Sequence, residues 1–188
     1  APVRAAATSM RAVLKRERPE TQARSRTAAP AMADPVTWRG ELPSHLSALG
    51  AAAYWQRGIT GKGVVVAVVD SGVDGRDGPL MAKFRGRARD WFDPYGQRAQ
   101  PFDGVGHGTH VAYVIAGGTA IEGGPPVGVA PHAQWIAARI YDDAGIGRVS
   151  AVHRTYQWLL DPDGRPETAD APSIVNNSWG LPQTVGRC

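Results

Sequence analysis

Cysteine occurs once, at Cys188, which excludes an internal disulfide framework and a metal centre built from cysteines. No apolar run approaches the roughly 18 residues of a helical membrane span, so no membrane partner is expected. The first 40 residues hold no continuous apolar stretch of the kind a secretory signal requires. A strong charge excess is also missing. The net charge is +4, and much of it comes from Arg4, Arg11, Arg16, Arg18, Arg24 and Arg26, so the basicity describes a tail and not a nucleic-acid-binding face. No internal repeat is visible.

What remains fits one globular domain with a real core, or one domain plus a tail. Residues 1–40 are rich in Ala and Arg and are interrupted by Pro19, Pro30 and Pro35. Such a segment buries too little to offset its ordering entropy, so a disordered basic tail is expected there, with a pro-segment remnant or targeting extension as the functional reading. Residues 41–188 carry the ordered pattern. Ala51–Gln56 reads as a short helix closed by Gly58, and Gly61–Gly63 as a turn. Val64–Val69 is an unbroken, valine-rich run that reads as a strand buried on both faces. His107–Gly117 reads as a helix, Gln134–Ile140 as a strand, Val149–Leu160 as a helix stopped by Asp161–Gly164, and Ser173–Asn177 as a strand. This alternation predicts an α/β domain with a parallel sheet.

Three polar clusters adjoin these elements. Asp70 follows the valine run, where parallel sheets gather their catalytic groups; Gly72 allows a sharp turn, and Ser71 is placed to hydrogen-bond the carboxylate. As a lone residue, an Asp ending a strand is equally a turn former or helix cap. His107 stands where the Gly-rich segment Asp103–Gly108 becomes a helix, accessible and directed by the helix start, as a general base requires. Metal binding by His107 and His110 is disfavoured by their spacing of three with no acid between, and a purely structural pair stays open. Asn176–Gly180 ends the third strand with polar, aromatic and glycine residues. It is suited either to pairing with an extended peptide while Trp179 lines a pocket, or to a simple strand-end turn. Gly58–Gly63 superficially suggests a phosphate loop, but it lacks Ser/Thr after Lys62 and precedes its strand.

In this order and spacing, the clusters resemble the subtilisin-like (subtilase, peptidase S8) serine peptidases. Gly61–Asp74 matches the family's aspartate motif, Gly106–Ala112 its histidine motif, and Gly128-Val129-Ala130-Pro131 the stretch before the next strand. Gln134–Arg139 with Asn176–Gly180 is most similar to the bacillopeptidase F-like branch. The resemblance covers about residues 45–188. It implies a three-layer subtilisin-like fold, of which this chain carries the N-terminal part, and a secreted endopeptidase acting on extended peptides or proteins. It also implies Asp70 as the triad aspartate, His107 as general base, Asp103 on the substrate side, and Ser178, Trp179 and Gly180 as substrate-binding. The 188 residues contain no Gly-Thr-Ser-x-Ala motif, so neither the nucleophile nor the oxyanion asparagine is expected within them; Asn176 and Asn177 precede the substrate strand and do not fill the latter role. The chain alone is therefore expected to be inactive. The alternative is a non-catalytic peptide-binding half-domain, or a partner for a chain that supplies the serine. Two departures stand out. Tyr113 occupies a helix position where the family has glycine and demands extra volume. Gly118–Pro126 lacks calcium ligands apart from Glu122, so no cofactor is expected.

Overall fold

The computed structural model describes residues 36–119 and 122–180. Two short helices, α1 (Ser44–Ala48) and α2 (Ala51–Trp55), lead into strand β1 (Val65–Asp70). After β1 come α3 (Gly78–Met81), β2 (Trp91–Phe92), α4 (His107–Ala116), β3 (Gln134–Arg139), α5 (Val149–Leu160) and β4 (Ile174–Asn177). The four strands form one sheet in the order β2-β3-β1-β4, and every pairing is parallel.

Strand β1 carries four valines, whose branched side chains favour extended backbone and point alternately to opposite faces. On one face, Ala67 and Val69 join Ile136, Ala138 and Ile140 against Trp158 and Leu159 of α5. On the other, Val68 packs with Val73, Leu80, Trp135 and Ala137 against Ala112 of α4. The sheet is thus covered on both sides, giving a three-layer α/β arrangement whose central strand is apolar throughout until Asp70. In the register, Asp70 lies beside Arg139 and Val69 beside Asn177, so the carboxyl ends of three strands fall together.

Several expected boundaries shift by a residue. Strand β1 starts at Val65 and includes Asp70, β3 stops at Arg139, and β4 starts at Ile174. Helices α1 and α3 and the two-residue β2 are too short to generate a readable period. The tail expected over residues 1–40 lies outside the described residues as far as residue 35. Its last members, however, are packed: Val36 and Trp38 join Leu46, Ala51 and Trp55, with the Trp38 and Trp55 rings edge-to-face at 5.6 Å. Arg39 N donates to Gly123 O at 2.8 Å. Averaging composition over forty residues hid two large apolar side chains at the segment's end.

The volume Tyr113 demands is found beside α3. Its hydroxyl donates to Asp77 Oδ1 at 2.6 Å, and the same carboxylate oxygen caps α3 by accepting Leu80 N at 3.0 Å. Burial, then the Asp77 hydrogen bond and charge, push the Tyr113 phenol up to about 12. Its ring also occupies space at Gly117, where a Cβ would come within 2.8 Å of Tyr113 Cδ1. Tyr113→Phe is expected to lower stability by about 1 kcal/mol in urea denaturation, and to remove the latest-titrating tyrosine from the ultraviolet titration.

Candidate active site

The site begins with a close backbone approach. Gly72 turns the chain after β1 with φ +116°, and a Cβ there would stand 1.9 Å from the Phe102 carbonyl oxygen. Gly108, in the first turn of α4, faces Gly72 in turn. A Cβ at 108 would lie 2.1 Å from Gly72 O and 3.0 Å from Asp70 Cβ. Only hydrogen fits at both positions, so the start of α4 rests directly on the carboxyl end of β1.

That contact brings the first residue of α4 to the last residue of β1. His107 Nδ1 and Asp70 Oδ1 are 2.8 Å apart. Asp70 is 1% exposed, and its Oδ1 also accepts Ser71 N at 2.6 Å. With Nδ1–H donating to Asp70, the imidazole's Nε2 is left as an acceptor, on a side chain that is 53% exposed. The Asp70 hydrogen bond first, and its charge second, raise the His107 pKa above the ordinary 6.5; slight burial opposes this and Asp103 adds to it. This pairing favours the folded state while His107 is charged. Its contribution is therefore complete below the unfolded-state pKa and is lost as pH rises through the raised folded value.

Ser71 hydrogen-bonds the Asp70 carboxylate, as the sequence suggested, through its backbone N–H, which leaves its hydroxyl for other partners. Ser71 Oγ accepts Gly108 N at 2.9 Å and donates to Asp103 Oδ1 at 3.0 Å. Asp103 is likewise turned inward. Its Oδ1 also accepts Val105 N and Gly106 N, and its Oδ2 accepts Thr109 N at 2.9 Å and Thr109 Oγ1 at 2.6 Å. Burial raises the Asp103 carboxyl, but these donors outweigh it and hold the pKa below the usual carboxylate range. The carboxylate thus satisfies N–H groups at the start of α4 and complements the helix dipole. Spacing could not distinguish this use from one facing substrate, because the distinction depends on which way the side chain turns.

A cavity of about 350 Å³ is lined by Asp70, Ser71, Val105, His107, Tyr141, Gly145 and Ser178. Next to it, an apolar cavity of about 490 Å³ is bounded by Ile140, Val149, Val152, Trp179 and Gly180, and Tyr141 and Gly145 border both. The structure therefore separates the four residues expected to bind substrate: Asp103 turns to Ser71 and the start of α4, Ser178 lies beside the pair, and Trp179 and Gly180 lie on the apolar side. Tyr141 and Gly145 were missed in the sequence; the only signal was the Gly145-Ile146-Gly147 turn after β3. Asn176 and Asn177 are engaged elsewhere, Asn176 with Ser178 Oγ at 2.9 Å and Asn177 with the Tyr156 hydroxyl at 2.9 Å.

A larger cavity of about 610 Å³, near Thr37, Lys83 and Pro126, holds no part of the pair. Segment 117–128 is fastened by backbone: Thr119 and Pro126 form a bridge, and Val127 N and Gly128 N donate to Gly118 O and Gly117 O. Glu122 is exposed and is the one carboxylate in the sequence of this segment. Elsewhere, Asp161, Asp163 and Asp170 come together, but they spend oxygens on their own loop, as in Asp163 N to Asp170 Oδ2 at 2.7 Å.

Residues 61–187 match the model of the subtilase family, peptidase S8. Bacillopeptidase F of Bacillus subtilis is 33% identical over 160 residues, covering 78% of this chain and 11% of that protein. Subtilisin E of the same species is 37% identical over 142 residues, covering 75% of this chain and 33% of that protein. A crystal structure of a cold adapted subtilisin-like serine proteinase overlaps 53% of this chain and 33% of its own, at 26% identity and a TM-score of 0.41. The chain thus spans a third or less of the relatives it matches.

Titration of the His107 ring by proton NMR is expected to give a midpoint above 6.5 that Asp70→Asn brings down. A midpoint indifferent to Asp70→Asn would disprove the coupling. Gly108→Ala, which drives a methyl group into Gly72 O, is expected to lower the midpoint in the same way by parting the two side chains.

Proposed function

The chain belongs to the subtilase family, and from that membership we propose that Asp70 and His107 are the acid–base part of a serine endopeptidase acting on extended peptides. The observation that carries the reading is the 2.8 Å bond from His107 Nδ1 to buried Asp70, on an imidazole that is half exposed beside a cavity. The free Nε2 lone pair takes the proton of an attacking serine hydroxyl. Asp70 keeps the ring in the required tautomer and stabilises the imidazolium, and the same proton is then passed to the leaving amine. Asp103 enters as a positioning residue, since its bonds to Ser71 and Thr109 set the start of α4 and hence the imidazole.

The serine belongs to a Gly-Thr-Ser-x-Ala motif that these 188 residues do not contain, and the asparagine that would support the oxyanion is a separate residue of the family that follows the substrate strand. The described part is therefore read as binding peptide without turning it over. Ser178–Gly180 continues β4 along the rim of both cavities, which suits an extended peptide laid beside it. Extracellular action follows from the family alone. Among the described residues, no helix is long and apolar enough to cross a membrane. The reading assigns no role to a metal, since Gly118–Pro126 offers Glu122 as its one carboxylate.

In a chain continued through the serine motif, Asp70→Asn is expected to lower kcat by about 10⁴-fold, the loss the same change causes in serine peptidases of known mechanism. A fluorophosphonate probe should label that longer chain and leave the 188-residue chain unlabelled; labelling of the latter would overturn the reading. Adding EDTA is expected to leave the melting temperature of the 188-residue chain unchanged, and a clear fall would show that a metal contributes.

A further inference from the structure

Among the buried charges that the pair chemistry does not use is Arg139. Arg139 closes β3 beside Asp70 in the register, and its side chain is 2% exposed. Its Nε donates to Tyr141 O at 2.9 Å. Its Nη2 reaches Asp143 Oδ1 at 2.8 Å and Gln97 Oε1 at 3.3 Å. Asp93 stands 3.9 Å from Nε, and the Phe102 and Tyr95 rings lie 5.7 Å and 5.9 Å from the guanidinium carbon. Nη1 is buried and has no hydrogen-bond partner among the described residues.

Stability is a poor account of this residue. Desolvating a guanidinium is costly, and buried ion pairs often return less than well-packed apolar side chains would. Both neighbouring anions are also satisfied without it. Asp93 accepts Tyr95 N, Gln97 N and Arg98 N, and Asp143 is held by Arg98 Nη2 at 2.7 Å.

Arg139 instead ties together two loops, 93–102 and 141–147, that share no strand. The first runs into Phe102 and Asp103, beneath the Asp70–His107 pair. The second supplies Tyr141 and Gly145, the wall common to both cavities. Tyr95 adds a parallel tie, its hydroxyl donating to Ile140 O at 2.7 Å. A loop braced in this way loses little freedom when a peptide is laid against it, whereas an unbraced loop must be ordered at the expense of affinity.

We propose that Arg139 is a positioning residue for peptide binding: by holding Tyr141 and Asp143 against loop 93–102, it sets the cleft wall in its binding geometry before substrate arrives. The proposal rests on the peptidase reading of the cleft. Arg139→Met, Arg139→Lys and the surface change Asp143→Asn are to be compared with the unchanged 188-residue chain. Three readouts are used: amide exchange at Ala144 and Ile146, whose N–H groups bond Asp142 Oδ1; the His107 titration midpoint; and binding of the capped hexapeptide Ala-Ala-Leu-Ala-Ala-Phe by calorimetry. Arg139→Met is expected to speed exchange at both amides and weaken peptide binding, each about tenfold. Asp143→Asn should do so less, Arg139→Lys should recover part of the loss, and the His107 midpoint should stay fixed. Unchanged exchange in both Arg139→Met and Asp143→Asn overturns the proposal, as does equal peptide affinity in all chains or a His107 midpoint that moves with the loop. If the unchanged chain binds no peptide while exchange still quickens in Arg139→Met, the brace stands and the peptidase reading of the cleft falls.

Discussion

The molecule depends on two glycines that face each other where a strand ends and a helix begins. Gly72 O stands 2.1 Å from where a side chain at position 108 would start, so the first turn of α4 lies against the tip of β1 with nothing between. Dispersion alone would not hold a polar helix end there. The approach is made tolerable because the exposed N–H groups of that end are answered locally: Gly108 N by Ser71 Oγ, and Thr109 N by Asp103. Once those demands are met, the imidazole of His107 has little choice of direction, and Asp70 waits at bonding distance.

The electrostatics follow from the same contact. Asp70 and Asp103 are two carboxylates that meet the same helix start in space, yet they do different things. Asp103 is saturated with five donors, which fix it as a charged structural node. Asp70 spends one oxygen on Ser71 N and the imidazole, while its buried Oδ2 finds no hydrogen-bond partner among the described residues. A carboxylate so sparsely satisfied interacts strongly with the imidazole it bonds, which accounts for the raised affinity of His107 for its second proton.

Beyond the pair, the cleft is shaped by segments with little regular structure. Tyr141, Gly145 and Ser178 come from loops after β3 and β4, yet they stand together because those strands flank β1 in parallel and release their chains at the same end of the sheet. Arg139 and Tyr95 then fix the loop after β3 to the segment that precedes α4. The rigid sheet sets where the loops leave; buried polar ties set where they stop.

Much of this was legible in the residues. The valine run read as a buried strand, the helix period of Val149–Leu160 was plain, and Asp70 and His107 stood out because their motifs, taken in order, resemble those of the subtilases. The fold class and the motif pair were thus determined by the sequence itself, because both rest on local patterns of periodicity, glycine placement and residue type. What needed the tertiary structure was direction and company. Only the folded chain decided that Asp103 turns inward, that the Ser71 hydroxyl serves Gly108 while its N–H serves Asp70, that Trp38 belongs to the packed domain, that Tyr113 reaches Asp77, and that Tyr141 shares a cavity with His107. Each of these turns on contacts between segments far apart in the chain, whose distances are set by how strands and helices pack and by no pattern a local stretch of residues can carry.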